Sequence, residues 1–308
     1  MSTTKIIIIA GPTASGKSGF ALALAEAING IIINADSMQV YKDIPILAAT
    51  PTAQEQNRIE HKLYGIYDAS IRGNMVDWFN LAQQEINLAR QNNQPPIVVG
   101  GTGMYIEALE KGTTPIPETP APIRQQIDVL FRRLGLAGLY QQLQQIDPQI
   151  AARLSPNDTT RIRRALEVWT HTHKKMSDWQ QVPLCRHYDP QEFIRIYINP
   201  SRDTLEQRLR TRFDHMISLG AIEEVRALMS RNLDDSLPAM RALGVQELKA
   251  YLQQECSLDE AVEQAKLHTR QYAKRQTTWF NHRYQPDFCF SADTAENKNF
   301  VDVIKKAL

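Results

Sequence analysis

Gly11-Pro12-Thr13-Ala14-Ser15-Gly16-Lys17-Ser18 carries glycines, a lysine and a hydroxyl residue in the order a phosphate-binding loop requires. Glycines let successive backbone N–H groups curl around an anion, and the N-terminus of a following helix adds partial positive charge. In such a loop Lys17 reaches the terminal phosphates and the Ser18 hydroxyl faces a Mg²⁺ ion, so the expected ligand is a diphosphate or triphosphate. Asp36 is the second chemically capable group, ending an apolar run. A carboxylate there has two open roles: it can hold Mg²⁺ indirectly, as in NTPases, or accept a proton from an attacking nucleophile, as in a transferase.

The flanking pattern supplies the elements that must position these groups. Residues 6–10 are an apolar run entering the loop, and residues 20–28 form an amphipathic run leaving it, which predicts a strand-to-helix junction. Residues 30–36 and 96–99 predict two more strands, the latter running into Gly100-Gly101-Thr102-Gly103. Residues 77–89 between them read as a crossover helix, with Phe79, Ala82, Ile86 and Ala89 on one side. Strands that end in glycine-rich or acidic turns and alternate with helices predict a parallel sheet, with ligands outside the carboxyl ends of its strands.

Residues 115–122 are proline-dense and predict a boundary. Helical spacing follows from Ile123 to Leu134, breaks at Gly135 and resumes to Leu143, and Asn157 or Asp158 can cap a further helix. A strand is predicted at 193–198, a long helix from Ser201 or Asp203 to Gly220, further helices at 221–229 and from 258 to about 279, and a short late strand at 287–290. The fold class is therefore α/β, a P-loop NTPase-like parallel sheet core with an inserted all-helical subdomain. The core is assigned to 1–116 and 194–308 and the insertion to 117–193.

A formal net charge of +1 over 308 residues means that attraction to a polyanion must come from local patches. Residues 151–187 hold seven Lys/Arg against three acids, and 266–283 hold five with none, interleaved with Tyr272, Trp279 and Phe280. Lysine and arginine can position a sugar–phosphate backbone while aromatic rings stack on unpaired bases, so these patches point to a nucleic acid. His171, His173, Cys185 and His187 match no common zinc spacing. Three widely spaced cysteines suggest reduced thiols, and no run approaches the roughly 20 apolar residues of a membrane span. A cytoplasmic protein without membrane partners is expected.

The run Asp36-Ser37-Met38-Gln39-Val40-Tyr41-Lys42, taken with the loop at 11–18, residues 99–109, Arg161 and Arg164, residues 212–216 and residues 269–280, resembles the tRNA dimethylallyltransferases, the MiaA-type isopentenyltransferases. The matches run in order over nearly the whole chain. The resemblance implies transfer of a dimethylallyl group from dimethylallyl diphosphate to the exocyclic amine of the adenosine 3′ of the anticodon, with diphosphate leaving. It implies a loop at Gly11, Pro12, Thr13, Ala14, Ser15, Gly16, Lys17 and Ser18 that holds the prenyl diphosphate, Mg²⁺ on Ser18, Asp36 as base, Thr102 beside the reacting centre, and Arg212 on the diphosphate. The tRNA anticodon arm would be met by Asp36, Ser37, Met38, Gln39, Thr102, Arg161, Arg163, Arg164, Arg241, Lys274, Arg275 and Trp279, with the insertion contributing. A monomer is expected.

Two segments depart from the family pattern. Pro45-Ile46-Leu47-Ala48-Ala49-Thr50-Pro51 stands where an Asp-Ile-Gly-Thr-Ala-Lys-Pro-like run is usual, and Gly244-Val245-Gln246 stands where Gly-Tyr and a base are usual.

Overall fold

The structure is a computed structural model that describes residues 4–291 and 299–308. The chain forms two compact units, one of Met1–Glu110 with Tyr188–Leu308 and one of Lys111–His187.

In the larger unit, β1 (Ile6–Ala10), α1 (Lys17–Ile28), β2 (Ile31–Asn34), α2 (Pro45–Ala48), α3 (Ala53–Arg58), β3 (His61–Lys62), α4 (Met75–Gln91), β4 (Pro96–Gly100) and α5 (Gly103–Lys111) come first. The smaller unit carries α6 (Ala121–Ile146), α7 (Pro148–Ala151), α8 (Thr159–Thr172) and α9 (Met176–Trp179). The larger unit then resumes with β5 (Phe193–Ile198), α10 (Arg202–Ser218), α11 (Ala221–Ser230), α12 (Val245–Leu252), α13 (Leu258–Arg283), β6 (Phe288–Phe290) and α14 (Phe300–Lys305).

The six strands form one sheet in the order β3-β2-β4-β1-β5-β6, and every pairing is parallel. A parallel sheet is covered on both faces, which explains why its strands read as continuous apolar runs. In β1, Ile6, Ile8 and Ala10 join one cluster while Ile7 and Ile9 join the other, the period-two alternation of a strand buried on both sides. The first cluster takes Trp78, Phe79, Ala82, Ile86 and Ala89 from α4, and Ala265 and Phe280 from α13. The second takes Ala21, Leu22, Leu24 and Ala25 from α1, and Phe300 and Ile304 from α14.

From β1 the chain moves outward to β2 and β3, returns to place β4 beside β1, and then crosses to β5 on the other side. The reversal falls at the carboxyl end of β1, where ligands of open α/β sheets bind. The expected strands, the crossover helix and the parallel sheet are all present. Two-residue β3 has no apolar pattern to announce it, and α2, α3, α5, α7, α9, α12 and α14 lie outside the helices the sequence pattern predicts.

The smaller unit packs its own core of Ile127, Leu139, Leu143, Ile150, Ile162, Ala165 and Leu166. Gly135 interrupts α6 with φ 66, the left-handed region glycine favours, at the break its sequence spacing predicted. Asp158 caps α8 by accepting from the Arg161 N–H. The compact division falls at 111 and 187, six residues before each expected boundary of 117 and 193. Thr113 and Cys185 exchange backbone hydrogen bonds inside the smaller unit, whereas Tyr188 packs edge-on against Phe193 of the sheet.

Candidate active site at the carboxyl ends of β1, β2 and β4

The phosphate loop turns into α1 through Gly16, whose φ of 92 sets the left-handed cap that ends the curl. Ser15 is fully buried in the loop and its Oγ has no hydrogen-bond partner. It packs inside the loop, where a Cβ on Gly11 would stand 2.7 Å from Ser15 Oγ. Lys17 Nζ donates to Pro12 O at 3.2 Å. Burial pulls the Lys17 ammonium from its ordinary 10.5 down to about 8, with Asp36 opposing that shift and Arg212 adding to it.

From α10, Arg208 Nη1 donates to Ser15 O at 3.2 Å. Arg208, Thr211, Arg212 and His215 line a cleft of about 480 Å³ with Gly16, Lys17 and Ser18 of the loop. Arg212 is half-buried and makes no hydrogen bond within the protein among the described residues. Burial lowers its pKa and the Asp36 carboxylate acts in the opposite direction. A guanidinium that lines the cleft with its donors unused is suited to an anion.

Asp36 lies just past β2. Its N–H donates to Asn34 Oδ1 at 2.8 Å, and its Oδ1 accepts from the Met38 N–H at 2.9 Å. Asn34 is itself fully buried, and its Nδ2 donates to Asp36 O and Leu63 O. These bonds fix the Asp36 backbone and one carboxylate oxygen, while Oδ2 accepts no hydrogen bond among the described residues. Thr102, at the end of β4, is tied to the same place: its N–H donates to Ala35 O at 3.2 Å, and its Oγ1 accepts from the Ser37 N–H at 2.9 Å. Adjacent strands thus present Asp36 and Thr102 side by side, with Lys17 and Arg212 within electrostatic range of the carboxylate.

The remaining residues expected to meet RNA have varied surroundings. Met38 and Trp279 pack partly buried against the sheet cluster, and Gln39 Nε2 donates to Ala48 O and Ala49 O. Lys274 and Arg275 are exposed on α13, with Arg275 over the Tyr272 ring. Lys266 and Arg270, on the same basic stripe, pair with Asp214 and Glu206 of α10, so part of that stripe is neutralised within the protein. Arg241 is exposed and donates to Asp235 O. In the smaller unit, Arg161 projects into solvent beside its capping Asp158. Arg163 pairs with Asp128, and Arg164 donates to Thr119 Oγ1 at 2.6 Å.

Sequence reasoning missed Arg208 and Gln276. Arg208 precedes Arg212 by one helical turn, a spacing that places both on one face of α10. Gln276 lies on the stripe formed by Ala265, Ala273 and Phe280, where a polar side chain among apolar ones is the available signal.

The sequence profile of the IPP transferase family matches residues 39–283. Over 282 residues the chain is 44% identical to the tRNA dimethylallyltransferase of Nitrobacter hamburgensis, covering 92% of this chain and 89% of that one. The tRNA dimethylallyltransferase of Rhodospirillum centenum is 42% identical, with 94% of both chains covered. Among solved structures, the tRNA isopentenylpyrophosphate transferase of Bacillus halodurans is similar at a TM-score of 0.70 and 30% identity, covering 99% of this chain and 95% of that one. A eukaryotic dimethylallyltransferase acting on tRNA is similar at a TM-score of 0.82 and 28% identity, covering 99% and 77%. With the profile spanning most of the chain and these relatives aligning nearly end to end, the chain belongs to the IPP transferase family.

Proposed function

We propose that the protein transfers a dimethylallyl group from dimethylallyl diphosphate to the exocyclic amine of the adenosine 3′ of the anticodon in tRNA. The carbon–oxygen bond to diphosphate breaks, a carbon–nitrogen bond forms, the electron pair leaves with diphosphate, and the amine proton passes to Asp36 Oδ2. The observation that carries this reading is the placement of Arg212 and Lys17, which line one cleft and are suited to an anion, within electrostatic range of a carboxylate with one unused oxygen.

An aromatic amine is a poor nucleophile, so a positioned base and a neutralised leaving group supply most of the catalysis. Thr102, locked to Ser37 and Ala35, holds the Asp36 segment against the end of β4. The adenine must leave the anticodon-loop stack to reach the diphosphate, which exposed Lys274, Arg275 and Arg161 assist by holding the phosphate backbone.

The residues present also fit Mg²⁺. Ser18 is exposed on the first turn of α1 and faces the cleft, and no cluster of three potential carboxylate, histidine or cysteine ligands exists among the described residues. Mg²⁺ characteristically takes few protein ligands together with phosphate oxygens and water, so Ser18 and the diphosphate would hold it. When bound, the ion neutralises charge on the diphosphate.

The test is mass analysis of unmodified tRNA after incubation with the protein, dimethylallyl diphosphate and Mg²⁺. A gain of one dimethylallyl group on the adenosine next to the anticodon is expected, and Asp36→Ala should lose transfer while retaining tRNA binding. Near-normal turnover in that variant sinks the base assignment, and a product on any other position sinks the choice of adenosine. No helix among the described residues is long and apolar enough to cross a membrane, and we propose that the protein acts as a cytoplasmic monomer.

A further inference from the structure

Gln276 is 6% exposed on the inner face of α13, and both ends of its amide are used. Its Oε1 accepts from the Thr13 N–H of the phosphate loop at 2.8 Å, and its Nε2 donates to Gly101 O of the turn after β4 at 2.8 Å. One partner can only donate and the other only accept, which fixes the amide orientation without ambiguity. The approach is close: a Cβ on Gly101 would stand 2.4 Å from Gln276 Nε2 and 3.1 Å from Gly11 O. One turn further along α13, Trp279 lies so near Gly103 that a Cβ there would stand 2.4 Å from the indole ring. Glutamine and tryptophan therefore grip the two glycines that flank Thr102, and the glutamine alone also reaches the phosphate loop.

We propose that Gln276 is a positioning residue for the transfer reaction, setting the first half of the phosphate loop and the Thr102 turn in register with each other. This rests on reading the loop as the diphosphate site. The loop ends β1 and the turn ends β4, two hydrogen-bonded neighbours whose pairing ends at Ala10 and Gly100. Past that point the pairing no longer holds them together, and the buried amide replaces it with one bond to each. Gln276 comes from the helix whose outward side carries Lys274 and Arg275, so the residues proposed to hold RNA and the residue that sets the donor site share one rigid element.

The test uses Gln276→Leu and Gln276→Glu in the full chain. Leucine leaves the Thr13 N–H and Gly101 O buried without partners, and the lost loop geometry is expected to raise the KM for dimethylallyl diphosphate and the Kd for inorganic diphosphate about tenfold. The Kd for tRNA, measured without donor, should change less than about twofold, because a positioning loss falls on the donor site. Glutamate provides a signature that a merely structural role would not produce. As a carboxylate it accepts from Thr13 but has no proton for Gly101 O, and once protonated it makes both bonds. Burial raises its pKa, so the ratio of its donor kcat/KM to that of the wild type should climb as pH falls from about 9 to about 6.

Donor KM and diphosphate Kd within about twofold of wild type in both variants overturn the proposal. So does an equal loss of tRNA and donor affinity, or a ratio for Gln276→Glu that is flat with pH. If Gln276→Leu does not fold, Gln276→Glu carries the test alone. Wild-type protein that fails to bind diphosphate overturns the reading of the loop as well; wild-type binding with unchanged variants overturns the role of Gln276 only.

Discussion

Replacing Lys17 with methionine should stabilise the ligand-free protein while weakening its hold on diphosphate. Burial holds the Lys17 ammonium at about 8 against its ordinary 10.5, and that gap corresponds to about 3 kcal/mol of unfavourable interaction for the charged form in the folded state. Methionine matches the length of the side chain and removes the charge, at the loss of the bond to Pro12 O, worth about 1 kcal/mol. A net gain of about 2 kcal/mol at pH 7 follows.

The pH dependence fixes the cause. The unfolded chain keeps the Lys17 proton up to about 10.5, whereas the folded protein releases it near 8. Between those values the unfolded state binds more protons, so wild-type stability rises with pH there and is unaffected by this group below about 8. The advantage of Lys17→Met should therefore be constant below pH 8, shrink above it and turn into a deficit of about 1 kcal/mol by pH 10.5, where only the lost bond to Pro12 O remains. Urea unfolding of both proteins at pH 7, 9 and 10 measures this, and the difference between them removes the contribution of every other titrating group. A variant less stable than wild type at pH 7, or an advantage that does not change with pH, refutes the reasoning. Added diphosphate should reverse the order, since only wild type gains full stabilisation by binding.

Arg161→Ala should leave stability unchanged and flatten the salt dependence of tRNA binding by about one phosphate contact, because its side chain is exposed; an unaltered slope removes it from the RNA surface. Arg164→Ala should instead destabilise the protein by about 1–2 kcal/mol, read by thermal unfolding, because its guanidinium is committed to Thr119. Arg212→Ala should raise the KM for dimethylallyl diphosphate at least tenfold without loss of ligand-free stability, since this half-buried cation has no protein hydrogen bond to lose. Leu47→Ala should cost about 2–3 kcal/mol in chemical denaturation, because Leu47 is 7% exposed and borders a cavity of about 40 Å³ that the substitution would enlarge.

Legibility in the sequence followed the length and regularity of each signal. Ile6–Ala10, Ile31–Asn34 and Pro96–Gly100 were visible because a strand buried on both faces is apolar throughout, and the turns after them stood out through glycine or aspartate. His61–Lys62 was not visible, since two half-buried polar residues joined by backbone pairing alone leave no periodic trace. The same limit applied to the site. Lys17, Asp36 and Thr102 are marked by their place at strand ends, but the bonds from Arg208 and Gln276 connect residues 193 and 263 positions apart, and no local pattern encodes a partner so distant. Basic stripes misled in a complementary way: Lys266 and Arg270 look free along the sequence and are paired across to α10.

The two departures from the family pattern, separated by nearly two hundred positions, meet in one contact. Leu47 stands where the family has glycine, and its N–H and that of Ile46 are accepted by the two oxygens of Glu224, at 2.9 Å and 2.7 Å. A Cβ on Gly244 would stand 2.8 Å from Leu47 Cδ2, so the leucine lies directly on the residue that opens α12. Val245 stands where the family has tyrosine, is fully buried, and shares one apolar cluster with Leu47 and Phe213. Close-packed interiors tolerate exchanges of bulk better than net losses or gains. Leu47 and Val245 thus belong to one packed cluster, so a change of bulk at either is felt at the other. Leu47 and Phe213 border a small cavity that Arg212 of α10 and Thr13 of the phosphate loop also line, and Arg212 lines the larger cleft as well. Leu47 therefore borders the proposed diphosphate site through the cavity it shares with Thr13 and Arg212, while the loop, Asp36 and Thr102 keep the residues the family pattern requires.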